Sequence, residues 1–107
     1  MKVHELKLDE KYFDLVDTGV KTFEIRKNDR DYRVGDLLAL SIYDSDSNCY
    51  KQKPIPWYPD RDEVDSVHEA DTILRKIIYM TDYEQKDGYV VLGIGKYETG
   101  DVENEED

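Results

Sequence analysis

Lysine, glutamate and arginine stand close together at Lys21, Glu24 and Arg26, with Arg30 just beyond. Residues 19–33 carry five basic side chains (Lys21, Arg26, Lys27, Arg30, Arg33) and three acidic ones (Glu24, Asp29, Asp31), so the stretch is locally positive in a chain of formal net charge −11. A guanidinium is a planar fork that matches a phosphate or the edge of a nucleobase. An amine acts as a base only when burial or a cationic neighbour strips its charge, and an adjacent glutamate works the other way. Electrostatics therefore favour Lys21 as a group that holds an anion or polarises a carbonyl. The structural alternative is a solvated ion-pair network.

The same stretch interleaves its charges with Val20, Phe23 and Ile25, which read as core residues of a strand over 20–27. Before it, residues 3–8 alternate as a short strand with His4, Leu6 and Leu8 on one parity, so His4 is expected to face inward as a hydrogen-bonded histidine. Asp9 is a good helix N-cap and Glu10 suits a first turn. Tyr12, Phe13, Leu15 and Val16 then fall at helical spacing, and Gly19 stands where a left-handed cap ends a helix over 10–18. Residues 28–32 and 34–36 are turns by composition. Further strands are expected over 37–43, with Leu38, Leu40 and Ile42 inward, and over 72–80 and 89–97. The last contains Gly93 and Gly95, and glycine inside a strand marks a bulge or a close backbone approach.

At 107 residues the chain makes one domain with one modest core. Residues 44–70 lack regular periodicity and read as a long irregular loop; loops beyond about 12–15 residues usually carry function or disorder. Within it Trp57 and Tyr58 lie among prolines, and with Tyr50 they offer rings on which nucleobases stack. Trp57 serves equally well to pin the loop by packing. Asp44, Asp46 and Asn48 alternate like a calcium loop but lack its glycine and closing glutamate. Six acids and no base fall in residues 98–107, read as a disordered tail, and 1–97 form the folded domain. One cysteine, Cys49, excludes an intramolecular disulfide and has no metal partners at workable spacing. With an N-terminus that lacks a signal-peptide pattern, this points to a cytoplasmic location. No apolar run approaches the roughly 18 residues of a membrane span. The acidic balance argues against a broad nucleic-acid face, so any such contact falls to a small basic patch. Nothing in the pattern calls for a metal or a cofactor.

One helix and about five strands imply an α+β domain with a curled, barrel-like sheet. Residues 19–26 have the form G-x-K-x-x-E-x-R, followed by Asn28-Asp29-Arg30 and Val34-Gly35-Asp36. His4-Glu5-Leu6-Lys7 precedes it, and the fold closes on residues 89–94. This ordered set resembles the DUF3850 group of bacterial and phage proteins, which looks like a branch of the ASCH domains in the PUA-like superfamily. The resemblance implies a PUA-like β-barrel with a helix beside a cleft, and binding of RNA or modified nucleosides. Some ASCH relatives are similar to amidohydrolases that deacylate acetylated cytidine. Lys21 matches their lysine, whereas Glu24 stands where they have threonine.

The expectation is thus a small RNA- or nucleotide-binding domain in which Lys21, Glu24, Arg26, Arg30 and Trp57 meet the ligand. One alternative is a metal-independent amidohydrolase on an N-acylated nucleoside, with Lys21 and Glu24 catalytic. Another is an acidic protein-interaction module of phage origin, acting through its loop and tail. Binding is favoured over catalysis.

Overall fold

A computed structural model describes residues 1–52, 63–64 and 70–97. The elements, in chain order, are β1 (Val3–Asp9), α1 (Glu10–Asp17), β2 (Phe23–Lys27), β3 (Leu37–Asp44), β4 (Cys49–Lys51), β5 (Glu63–Val64), β6 (Thr72–Thr81) and β7 (Tyr89–Lys96). The α+β content is as expected, with one short helix and a sheet that holds most of the regular structure. Among the described residues seven strands replace the expected five. The sheet is ordered β2-β7-β6-β3-β4-β5, with β1 also on β3. This path is open: β2 and β5 terminate it and do not pair with each other among the described residues. The expected barrel is therefore not closed. Residues 44–70 are also not wholly irregular, since β4 and β5 lie there and pair antiparallel.

Two compact units are distinguished, residues 1–4, 22–38 and 74 onward forming one, and 5–21 and 39–73 the other. In the second unit α1 starts where the sequence places it. The Asp9 carboxylate accepts a bond from the Lys11 N–H at 3.1 Å, meeting one of the donors that a helix start leaves open. The helix closes at Thr18, and Gly19 follows with φ +82°, a conformation that suits glycine. Phe13 and Val16 are buried, whereas Tyr12 and Leu15 on the same turns stay exposed. Leu6, Leu8, Leu40, Ile42 and Ile73 are also buried in this unit. Asp44 caps the turn before β4, accepting from the Asp46 N–H at 2.9 Å and the Ser47 hydroxyl at 3.0 Å. The Asp46 bond first, then the Ser47 bond, hold its carboxyl below its ordinary range. The acids that alternate like a calcium loop are thus engaged in turn geometry, as Asx residues commonly are.

In the first unit β7 lies between β2 and β6, antiparallel to both. Phe23 is opposite Gly93, Ile25 opposite Val91 and Arg26 opposite Val90. Tyr79 is opposite Gly93, and Ile77 opposite Ile94, with a register shift between Ile77 and Tyr79. That extra residue, Ile78, is the bulge for which two strand glycines argue. A Cβ on Gly93 would lie 3.2 Å from the Tyr79 Cβ, and one on Gly95 would lie 3.1 Å from the Ile78 Cγ2. The glycines therefore relieve crowding where the two strands approach closely. Alternate residues Val90, Leu92 and Ile94 are buried, and Ile77 joins them.

Strand β2 corrects the expected pattern in two ways. It begins at Phe23, so residues 20–22 are not strand. Its faces are also inverted: Phe23 and Ile25 are 44% and 54% exposed, while Glu24 is 3% exposed. The polar parity of this strand is the inner one, and the apolar parity is the outer one.

Candidate ligand-binding site

The inner face of β2 can take Glu24 because Arg26 is two residues along and on the same side. Successive strand residues alternate between faces, so 24 and 26 are neighbours. The Arg26 Nε and Nη2 both donate to Glu24 Oε1, at 3.1 and 2.7 Å. A buried carboxylate is costly unless it is paired and hydrogen-bonded, and these bonds meet that requirement. The pair is uneven. The glutamate side chain is 4% exposed and the arginine side chain 22%. Glu24 thus fixes the plane of a guanidinium whose remaining edge is partly open, and Nη1 makes no hydrogen bond among the described residues. A guanidinium held in this way loses little rotamer freedom on meeting a planar acceptor.

Tyr32 is 6% exposed in the same unit. Burial pushes its phenol above the ordinary range, and the Arg30 and Arg26 charges work against that push. Both guanidiniums therefore act on the Tyr32 surroundings. Arg30 itself is exposed.

The Tyr32 ring lies 4.8 Å from the His4 ring, tilted by 57°. His4 is 7% exposed, on the inward parity expected of it, and its Nε2 is 2.9 Å from Asp36 Oδ2. Asp36 was not singled out by sequence beyond its turn. Its Oδ1 accepts from the Lys2 N–H at 3.0 Å and its Oδ2 from the Arg33 N–H at 3.1 Å. Burial raises the Asp36 carboxyl, but the bonds from His4, Lys2 and Arg33 outweigh it and leave it below its ordinary range. With Asp36 ionised, the proton of this bond sits on His4 Nε2, which donates. The turn before Asp36 depends on Gly35, at φ +100°. A buried histidine needs a hydrogen-bond partner, so the inward parity of His4 signals that an acceptor has to lie nearby, without saying which.

Lys21 lies in the other unit. Its N–H donates to the Leu15 carbonyl at 2.8 Å, and its Nζ sits 5.2 Å from the centre of the Tyr12 ring, a cation–π contact. Tyr50 is in that unit too, edge-on to Tyr43 at 5.1 Å, with the Lys7 Nζ 4.4 Å from the Tyr43 ring centre. Trp57, Tyr58, His68 and residues 98–107 lie outside the described residues.

The span from β1 to β7 that carries these groups matches, over residues 3–94, a family described as "Domain of unknown function (DUF3850)". The chain belongs to the DUF3850 family. The family span takes in both ion pairs, Glu24–Arg26 and His4–Asp36. This DUF3850 chain is also 59% identical over 39 residues to a protein of Escherichia phage P2, "Uncharacterized 12.9 kDa protein in GpA 3'region". That match covers 36% of each protein. No described helix of the DUF3850 chain is long and apolar enough to cross a membrane.

Proposed function

We propose that this DUF3850 chain is an ASCH-type, PUA-like domain that binds RNA or a nucleotide. The observation that carries this reading is the Arg26 guanidinium, fixed through two of its nitrogens by a buried glutamate and left partly open on its remaining edge. A chain with 26 acids would lose little by solvating one more arginine. Burying a glutamate to hold one arginine is a different investment, and it suits recognition of a phosphate or nucleobase edge. In this reading Arg30 adds a rim contact.

Binding is favoured over amide hydrolysis because Glu24 Oε1 already accepts two bonds from Arg26, which makes it an orienting group. The test is equilibrium binding of labelled single-stranded RNA and of free nucleotides across a salt series. Arg26→Gln is expected to weaken binding about tenfold, equivalent to about 1.4 kcal/mol. If a phosphate is its target, the salt slope should also fall by about 0.7. Equal affinity in the wild type and Arg26→Gln would refute the assignment. Turnover of an N-acyl nucleoside that Lys21→Ala abolishes would move the reading to the hydrolase.

A further inference from the structure

The outward face of β2, β7 and β6 carries Phe23 and Ile25, which the sequence pattern assigns to the core and the structure does not bury. Four large side chains stand on it exposed: Phe23 at 44%, Ile25 at 54%, Ile78 at 58% and Tyr79 at 62%. Two features make it more than an apolar patch. The first is a row across three strands, with Phe23 and Tyr79 both registered on Gly93. Cα partners in a sheet point to one face, so the two aromatic rings stand on either side of a glycine. Two strand spacings separate them, about 9.6 Å, and one planar ring between them would lie about 4.8 Å from each, within the range of offset stacking. A side chain at 93 would narrow this slot from below, and its Cβ would crowd the Tyr79 Cβ at 3.2 Å.

The second feature is charge. None of the positions that share this face in β2, β6 and β7 is acidic, although the chain holds 26 acids. The face holds Lys27, opposite Tyr89, and Lys76, opposite Gly95. The Lys86 Nζ also lies 5.6 Å from the Tyr89 ring centre. A face cleared of acids, with lysines beside aromatic rings, is complementary to an anionic strand that carries planar bases.

We infer that Phe23 and Tyr79 form a stacking slot over Gly93 for a nucleobase of single-stranded RNA, with Lys27, Lys76 and Lys86 placed for its phosphates. The inference rests on the proposed nucleic-acid function and adds a second surface to it. Strand β2 ends the sheet path, so a strand that passes its edge meets Arg26 on one face and Phe23 on the other. The bulge is part of the device: it turns consecutive residues Ile78 and Tyr79 to one side, which a regular strand cannot do.

The test is fluorescence anisotropy with labelled single-stranded RNA octamers, oligo(A) and oligo(U), at several salt concentrations. Tyr79→Ala is expected to weaken binding about tenfold with the salt slope unchanged, because stacking neutralises no phosphate. Tyr79→Phe should stay within about twofold of wild type, since the ring is kept. Tyr79 is mostly exposed, so its variants should fold, which circular dichroism checks. Unchanged affinity in Tyr79→Ala, with weakened binding in Arg26→Gln, overturns the slot and leaves the nucleic-acid reading standing. Absence of RNA and nucleotide binding in the wild type overturns both. A wild-type dimer that Tyr79→Ala splits without altering RNA affinity overturns the slot in favour of self-association.

Discussion

Two buried carboxylates in one unit are neutralised by different means. Asp36 takes a histidine and two backbone N–H groups, all drawn from residues 2–33. Glu24 takes an arginine from its own strand, two residues along. The first arrangement ties the start of β1 to the turn before β3, and both of its side chains are 7% exposed or less. The second pairs two residues of one strand, and its cation is about five times more exposed than its anion. Closed, long-range satisfaction is the mark of a structural latch. Local satisfaction with a half-open partner is the mark of a held tool. Both residues are buried acids, and burial alone would not separate them.

The largest expected effect breaks the latch. Asp36→Ala removes the acceptor of three donors and should cost about 3–5 kcal/mol of unfolding free energy, read by urea denaturation. Asp36→Asn keeps an acceptor for the backbone and should cost clearly less. If Asp36→Ala costs no more than about 0.5 kcal/mol, the latch description is wrong.

The second prediction sharpens the other half. Arg26→Gln removes the two Arg26 bonds from the buried Glu24 carboxylate and should cost about 1–3 kcal/mol, less than Asp36→Ala because the arginine is partly solvated. Combining it with Glu24→Gln should recover part of that loss, giving a coupling energy in the double-mutant cycle of about 1 kcal/mol or more. Strict additivity would show that the two side chains do not support each other.

Acid probes the latch. The folded Asp36 carboxyl sits below its unfolded value of about 3.9, so its stabilisation is complete above that value. It is lost as the pH falls through the folded value. Unfolding free energy should therefore decline below about pH 4, and Asp36→Asn should flatten that limb. An equal decline in the variant would assign the acid sensitivity elsewhere.

The smallest effect is expected on the outward face. Ile25→Thr removes an exposed apolar group from a strand and should change stability by no more than about 0.5 kcal/mol. A loss of 2 kcal/mol would mean that this face is covered in solution.

The sequence made the elements legible wherever a period could be counted. Helix α1 with its Asp9 cap, the inward Leu38–Leu40–Ile42 run and the inward parity of His4 all follow from spacing. Strands β4 and β5, of three and two residues, are too short to show any period. The open sheet was invisible for a related reason, since closure depends on which strands become edges. For β2 the period was read correctly and the face was not. Hydrophobicity places Phe23 and Ile25 inside, but the Arg26 partner makes Glu24 cheap to bury, and no rule of alternation weighs that exchange. Glu24 and Arg26 were singled out together by type and spacing. Asp36 and Tyr79 were not, because their partners are distant in sequence.

The pairing of β2 with β7 joins residues about 70 apart, as Phe23 with Gly93. On a ribosome that adds about 5–20 residues each second, β2 leaves the tunnel roughly 4–14 s before its partner. Throughout that interval Phe23 and Ile25 stand on an unpaired strand next to a carboxylate that has no interior to enter. Hydrogen bonding to β7 must therefore come late in synthesis.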